Sequence, residues 1–362
     1  MLSAQIARRR KALRLVRTVG AEVMLEHGKS QLRQLFEIGL LGLQGYSASD
    51  YYVLGLYRDH HQASKFMNRG QFDKVRGRWN PPAQGIFEFN KWIFGNYCAS
   101  VGIPTPRCYG LFHPKSGITA EGRPLRDLES LSALMAAVEG AVAIKPVAGS
   151  HGNDVMITDR FDPVSGAVIR ANGQAITVPD LHRILTSRAF PWVLQEKVRQ
   201  HSELSALHPS SLNTSRIITL LAAEGEIEIL GAVLRIGTGR GEVDNTTGGG
   251  VAAPIDLNSG TCSAALSEST IRRIARHPDS DRPIEGFVVP GWERMKEAAV
   301  EAHRRLPFAR SLGWDVAFGE NGPLILEVNG TWYQNHLQMT GKSLWETAFA
   351  KGPGDPRGGA GG

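Results

Sequence analysis

The stretch Gly313–Gly330, GWDVAFGENGPLILEVNG, constrains this chain more than any other. Two runs of strand-like alternation, Trp314–Phe318 and Leu324–Val328, flank Glu320-Asn321-Gly322, which reads as a three-residue turn with glycine at its left-handed position. In such a hairpin Asp315 falls opposite Glu327, and Asn329 lies on the same face two residues on, because strand side chains alternate. The opposite face carries Trp314, Val316, Phe318, Leu324, Leu326 and Val328, all apolar, which anchors the register in a core. Carboxylates facing each other across a strand pair repel unless a cation lies between them. With only oxygen donors and no His or Cys nearby, a hard ion such as Mg²⁺ or Mn²⁺ suits Asp315, Glu327 and Asn329, sharing its shell with phosphates. A half-exposed hairpin with a merely polar face is the alternative.

At 362 residues the chain exceeds one typical core, so two or three lobes are expected. No apolar run approaches the length of a membrane span and no signal-peptide core opens the chain, so a cytoplasmic location is expected. Cys98, Cys108 and Cys262 have no metal-type spacing and read as reduced, part-buried thiols. The net charge of +6 is concentrated in the first seventeen residues, around ARRRKALRLVR. A solvated basic helix is the plain reading there, contact with a membrane surface or nucleic acid the rarer one.

From Ile6 to Leu41 the periodicity is helical, with Leu13, Val16, Val23, Leu32, Phe36 and Leu40 among its apolar positions. Aromatic residues from Tyr51 to Phe72 continue the pattern to Asn80-Pro81-Pro82, which predicts a helical domain over 1–84. A helix bearing Lys91 then runs into GIPTP, and Ala141–Ile144 is a buried strand ending at Lys145, followed by a loop through Gly149, Ser150, His151 and Gly152. Strand, glycine-bearing loop, strand is one way to lay backbone N–H groups over phosphates, with the lysine as a point charge. Neither a P-loop nor a Rossmann fingerprint is present: Gly341-Lys342-Ser343 has His336 where the first glycine belongs, and Gly237-Thr238-Gly239-Arg240-Gly241 breaks at Glu242.

Val193–Val198, VLQEKV, is a strand whose polar end carries Glu196 and Lys197, with Glu203 downstream to meet ribose hydroxyls. Arg216 and Arg235 sit at strand positions where they could neutralise phosphate or developing charge, or form ordinary edge-strand salt bridges. Asp244–Gly250 is a polar loop of the kind that holds a substrate or closes a site, and the Gly- and Pro-rich 351–362 reads as a disordered tail.

In this order, IKPVAGSHG, VLQEKV and the WDVAF…LILEVNG pair resemble the ATP-grasp superfamily over roughly Phe89–Met339. HPSSLNTSRIITLL, VDNTTGGGVAAPID and YYVLGLYR narrow the resemblance to the sugar-transfer-associated ATP-grasp group, similar to α-L-glutamate ligases. The resemblance implies an α+β fold in which lobes 85–195 and 196–350 grip ATP, behind the N-terminal helical domain. It implies an ATP- and Mg²⁺-dependent ligase that phosphorylates a small-molecule, saccharide or peptide carboxylate and passes the acyl group to an amine or similar nucleophile. Carried over, Lys91 and Lys145 contact phosphates, Gly149–Gly152 cover them, Glu196, Lys197 and Val198 meet adenine, and Glu203 the ribose. Asp315, Glu327 and Asn329 then hold Mg²⁺, and Arg216 and Arg235 stabilise the acyl phosphate. His151 interrupts a loop of otherwise small residues, and the helical domain stands where relatives carry an α/β domain. A kinase on the same nucleotide site and a non-catalytic nucleotide-binding assembly protein are the competing readings; a nucleic-acid substrate is not expected.

Overall fold

The computed structural model describes residues 2–80, 82, 85–138, 140–149, 154–162, 165–170, 173–222, 224–239, 249–267 and 270–347. Ser150, His151, Gly152, Asp244–Gly248 and the 351–362 tail therefore lie outside the described residues.

Helices come first: α1 (Leu2–His27), α2 (Gln31–Leu43), α3 (Ala48–Val53), a 3₁₀ turn (His60–Lys65) and α4 (Arg69–Trp79), then α5 (Gly85–Phe89) and α6 (Lys91–Ser100). The continuous periodicity expected over 6–41 is broken at Gly28, whose φ of +65° suits glycine, and Ser30 accepts from the Arg33 N–H to start α2. Among the described residues no helix is long and apolar enough to cross a membrane.

The first sheet, sheet A, holds β1 (Cys108–Phe112), β2 (Ile118–Thr119), β3 (Val142–Pro146), β4 (Met156–Asp162), β5 (Ala167–Arg170), β6 (Ala175–Thr177) and β7 (Trp192–Glu196). Its order is β2-β1-β7-β3-β4-β5-β6, antiparallel throughout. Helices α7 (Leu128–Ala137) and α8 (Val178–Thr186) cover one face through Leu131, Met135, Leu181 and Leu185 against Ile144, Leu194 and Trp192. Burial of these side chains leaves the opposite face, with Lys145 and Gln195, for polar work.

After α9 (Ser202–Leu207), sheet B is built from β8 (Thr214–Leu221), β9 (Ile227–Ile236), β10 (Val251–Ile255), β11 (Ala265–Ser267), β12 (Arg272–Ile274), β13 (Ser311–Gly319) and β14 (Gly322–Asn329). Its order is β12-β11-β10-β9-β8-β13-β14, again antiparallel. One face packs on α10 (Trp292–Arg305) and α6, with Trp314, Val316, Phe318, Met295, Ala299, Phe94 and Cys98 in a shared core. There Trp314 Nε1–H donates to the Thr219 hydroxyl (2.8 Å), which lies 2.7 Å from His303 Nδ1, and His303 Nε2 is 2.9 Å from the Ala309 carbonyl. That relay suits a neutral imidazole, and burial pushes the His303 pKa down to about 4. The other face is covered by α1–α4 and by the segment after β14, including α11 (Asn335–Gln338), through Val16, Tyr51, Phe66, Phe72, Trp332 and Met339 against Ile218, Val233 and Ala252.

The hairpin differs from expectation in one instructive way. Its turn has two residues, Glu320 and Asn321, between paired Gly319 and Gly322, and the register slips by one between Asp315 and Val316. The extra residue, Leu326, is a bulge that restores Asp315 opposite Glu327. Between tip and bulge the faces are consequently exchanged: Ile325 enters the core, while Leu324 and Leu326, expected there, are only half-buried.

The chain passes between the sheets twice. On the first pass the Ile325 N–H donates to the Pro104 carbonyl (2.7 Å) and Gln195 Nε2 to the Pro106 carbonyl (3.0 Å), with Thr105 between. On the second, the Lys197 N–H donates to Ala141 O (3.0 Å) and the Glu320 N–H to Arg199 O (3.1 Å), with Val198 between.

Candidate active site

Cross-strand partners share a face, so Glu327, Asp315, Arg216 and Val233 form a row across β14, β13, β8 and β9. Arg235 lies two residues along β9 from Val233, on the same face. Both arginines reach Asp315. Arg216 grips it through Nε to Oδ1 and Nη2 to Oδ2 (2.9 Å), and Arg235 Nη1 donates to Oδ2 (2.9 Å). Burial alone would raise the Asp315 pKa, but the two guanidiniums outweigh it and hold the carboxyl below the usual range. The cation that the Asp315–Glu327 register demands is supplied at Asp315 by side chains.

Glu327 is different. Its side chain is 41% exposed, against 7% for Asp315, and its nearest cation is Lys91 Nζ at 3.7 Å. Lys91 is the first residue of α6, capped by Asn90, and its backbone N–H donates to Val147 O (3.0 Å), which ties the helix start to the chain leaving β3. Lys91 Nζ also donates to Gly149 O (2.8 Å). Gly149 has φ +137° and open space where a Cβ would stand, a conformation that favours glycine.

Lys145, from sheet A, joins this group. Its ammonium donates to Gln195 Oε1 (2.9 Å). Burial holds its pKa below the ordinary lysine range; Glu327 opposes that shift and Lys91 adds to it. Glu327 from sheet B, Lys91 from α6, Lys145 from sheet A and the first residue of the glycine loop therefore converge where the sheets meet. Asn329 lies two residues along β14 from Glu327 on the same face, and its buried Nδ2 has no hydrogen-bond partner among the described residues. An N–H donor in that state suits an acceptor such as a phosphate oxygen, because a buried polar group without a partner is costly.

The remaining expected contacts are more dispersed. The strand VLQEKV ends at Glu196, whose carboxylate accepts from the Arg107 N–H (3.2 Å). Lys197 Nζ pairs with Asp159 (2.5 Å), and the Val198 N–H has no hydrogen-bond partner among the described residues. Glu203 stands exposed on the first turn of α9, its N–H donating to His201 Nδ1 (3.4 Å). The thiols carry no charge at neutral pH: burial pushes Cys98 and Cys262 up to about 12, and Cys108 is also raised.

Two positioning residues escape a reading of the sequence. Gln195 bridges Lys145 and Pro106, and strand alternation in VLQEKV, which sets it opposite Leu194, was the available signal. Glu88 accepts from the Gly330 N–H (3.0 Å) and the Thr331 hydroxyl (2.5 Å), fixing the chain just beyond Asn329. No local pattern marks Glu88.

With this geometry in view, a family model described as sugar-transfer associated ATP-grasp matches residues 73–350. The chain belongs to that family. No curated protein matches this ATP-grasp chain. Among solved structures it is similar to an ADP complex of N5-carboxyaminoimidazole ribonucleotide synthetase (10% identity, TM-score 0.40, 69% of this chain and 46% of that one). It is also similar to an L-amino acid ligase from Bacillus licheniformis (13%, 0.38, 70% and 43%) and a RimK domain ATP-grasp protein from Sphaerobacter thermophilus (12%, 0.37, 72% and 70%). The chain spans less than half the length of the first two.

Proposed function

We propose that this ATP-grasp protein is an ATP- and Mg²⁺-dependent ligase that joins a carboxylate to an amine or similar nucleophile through an acyl phosphate. One observation carries the reading: two lysines, the open carboxylate of Glu327 and the root of a glycine loop converge from both sheets beside an arginine-clamped aspartate. A half-buried lysine whose hydrogen-bond partner among the described residues is a neutral amide invites a polyanion.

Lys91 and Lys145 then bind the phosphates of ATP under the 149–152 loop, and the 196–198 segment with Glu203 holds adenosine. The Glu327 carboxylate and the Asn329 Oδ1 are the oxygen donors that fit a hard cation, leaving the Asn329 Nδ2 group for a phosphate oxygen. Both Asp315 oxygens are engaged by guanidiniums, so Asp315 completes a three-residue set only as one arginine turns to substrate. When bound, Mg²⁺ would neutralise phosphate charge and orient the nucleotide.

The substrate carboxylate oxygen attacks the γ-phosphorus as the bridging P–O bond breaks and ADP leaves. The nucleophile then attacks the acyl carbon, the C–O bond to phosphate breaks, and the proton that the nucleophile sheds leaves with the phosphate. Such transfer depends on positioning and charge neutralisation, roles for Arg216 and Arg235, whose guanidiniums Asp315 holds at the site face. The helical layer over that face would border the acceptor, a saccharide, peptide or small molecule, and ATP use fits a cytoplasmic location.

The test is incubation with ATP, Mg²⁺ and panels of carboxylates and amines, with products identified by mass spectrometry. An amide with stoichiometric ADP and phosphate supports the proposal; a stable phosphate ester, or no nucleotide turnover, overturns it.

A further inference from the structure

Helix α2 buries Leu41, with Leu35 and Ile38 partly buried against the same core, yet it also turns polar side chains inward and a row of apolar ones outward. Its inward side holds Gln34, whose Nε2 donates to Gly20 O (2.9 Å), and Glu37, which accepts from Lys29 Nζ (2.8 Å) and the Tyr51 hydroxyl (2.7 Å). Its outward side holds Leu32, Phe36 and Leu43, exposed to 80%, 67% and 88%, with Leu40 between them. Spacings of three and four put these in one stripe. On α1, Ile6, Leu13 and Met24 form a second exposed stripe at spacings of seven and eleven, while Leu15, Val16, Val19 and Val23 face sheet B and the neighbouring helices. Of the apolar positions named in the helical periodicity of 6–41, Val16 and Val23 are inside and Leu13, Leu32, Phe36 and Leu40 are outside.

The same outer layer carries Arg8, Arg9, Arg10, Lys11, Arg14 and Arg17, with no acidic residue before Glu22, and these six cations equal the whole net charge of +6. Side chains of Arg8–Lys11, Arg14 and Arg17 are exposed. Apolar stripes beside a block of cations match the chemistry of a bilayer surface rich in anionic lipid: stripes enter the acyl boundary while arginines meet phosphates. A nucleic acid would use the cations but leave Leu32, Phe36 and Leu43 in water. A second copy would bring two strongly cationic helices together.

We infer that the outer face of the α1–α2 hairpin docks the protein on membranes containing anionic phospholipid, independently of the nucleotide site.

The experiment is sedimentation of the full chain with vesicles of phosphatidylcholine mixed with phosphatidylglycerol, and of phosphatidylcholine alone. Binding to the mixed vesicles is expected, weakening as salt rises. Leu32→Ser/Phe36→Ser/Leu43→Ser and Arg10→Glu/Arg14→Glu/Arg17→Glu are each expected to cut partitioning by roughly tenfold or more. A Phe36→Cys variant carrying an environment-sensitive dye should report a less polar setting on vesicle addition. Failure to bind mixed vesicles, binding that neither triple variant changes, or a dye that stays in water would overturn the inference. So would tighter binding to RNA unaffected by the serine substitutions, or a dimer that those substitutions abolish.

Discussion

Asp315 in sheet B is a buried charge and Lys145 in sheet A a half-buried one, both on strands, and the protein treats them in opposite ways. Asp315 is neutralised in place by two guanidiniums. Lys145 has a neutral amide as its hydrogen-bond partner, with Glu327 and Lys91 pulling its pKa in opposite directions. A charge already balanced holds structure, whereas a charge left short of balance marks the side on which a ligand belongs.

The largest effect that could break this contrast is on stability. Asp315→Asn takes the carboxylate from two half-buried guanidiniums and is expected to lower unfolding free energy by about 3 kcal/mol, read by urea denaturation. Lys145→Met should leave that midpoint unchanged or raise it, yet reduce ATP-dependent turnover by about 10²–10³-fold. If both variants destabilise alike, the two charges are equivalent and the contrast fails. His303 supplies a third case, a buried base kept neutral. Its folded pKa of about 4 lies below its unfolded value, so its contribution is fully present above about pH 6.5 and drains away as pH falls toward 4, on the order of 3 kcal/mol in all. His303→Gln should flatten that segment of the stability–pH curve; an unchanged slope would exclude the histidine as its source. A smaller step sharpens the picture of Lys145: Gln195→Leu removes its acceptor and the donor to Pro106, and should weaken ADP binding by roughly fivefold in calorimetry.

The facing of Asp315 and Glu327 was legible in the sequence because alternation and a glycine-bearing turn are local signals. It was reached through the wrong turn, since a bulge inside LILEV has no signature of its own, and the compensating slip exchanged Ile325 for Leu324 and Leu326 in the core. The place of Lys145 near the end of β3, with Gly149 just after it, was legible for the same local reason. The grip of Arg216 and Arg235 on Asp315 was not, because it depends on β13 pairing with β8, whose Arg216 lies 99 residues before Asp315 in the chain. Nor was the exposure of Leu32 and Phe36: periodicity shows that a helix has an apolar side, and only packing decides which way that side points.

The two passages between the sheets have a mechanical consequence. Each is fastened to sheet B on one side and to sheet A on the other, with one residue between, Thr105 or Val198. Thr105 sits between two prolines, whose own φ angles are fixed. Thr105→Gly is expected to speed hydrogen exchange in β1 and β7 by a few-fold, and no change would argue that the joint lies elsewhere. Two pivots determine a line: with the bond from the Lys91 N–H to Val147 O released, sheet A would swing about that line like a cover on its spine, carrying the lysine toward the opposing carboxylate along a single arc.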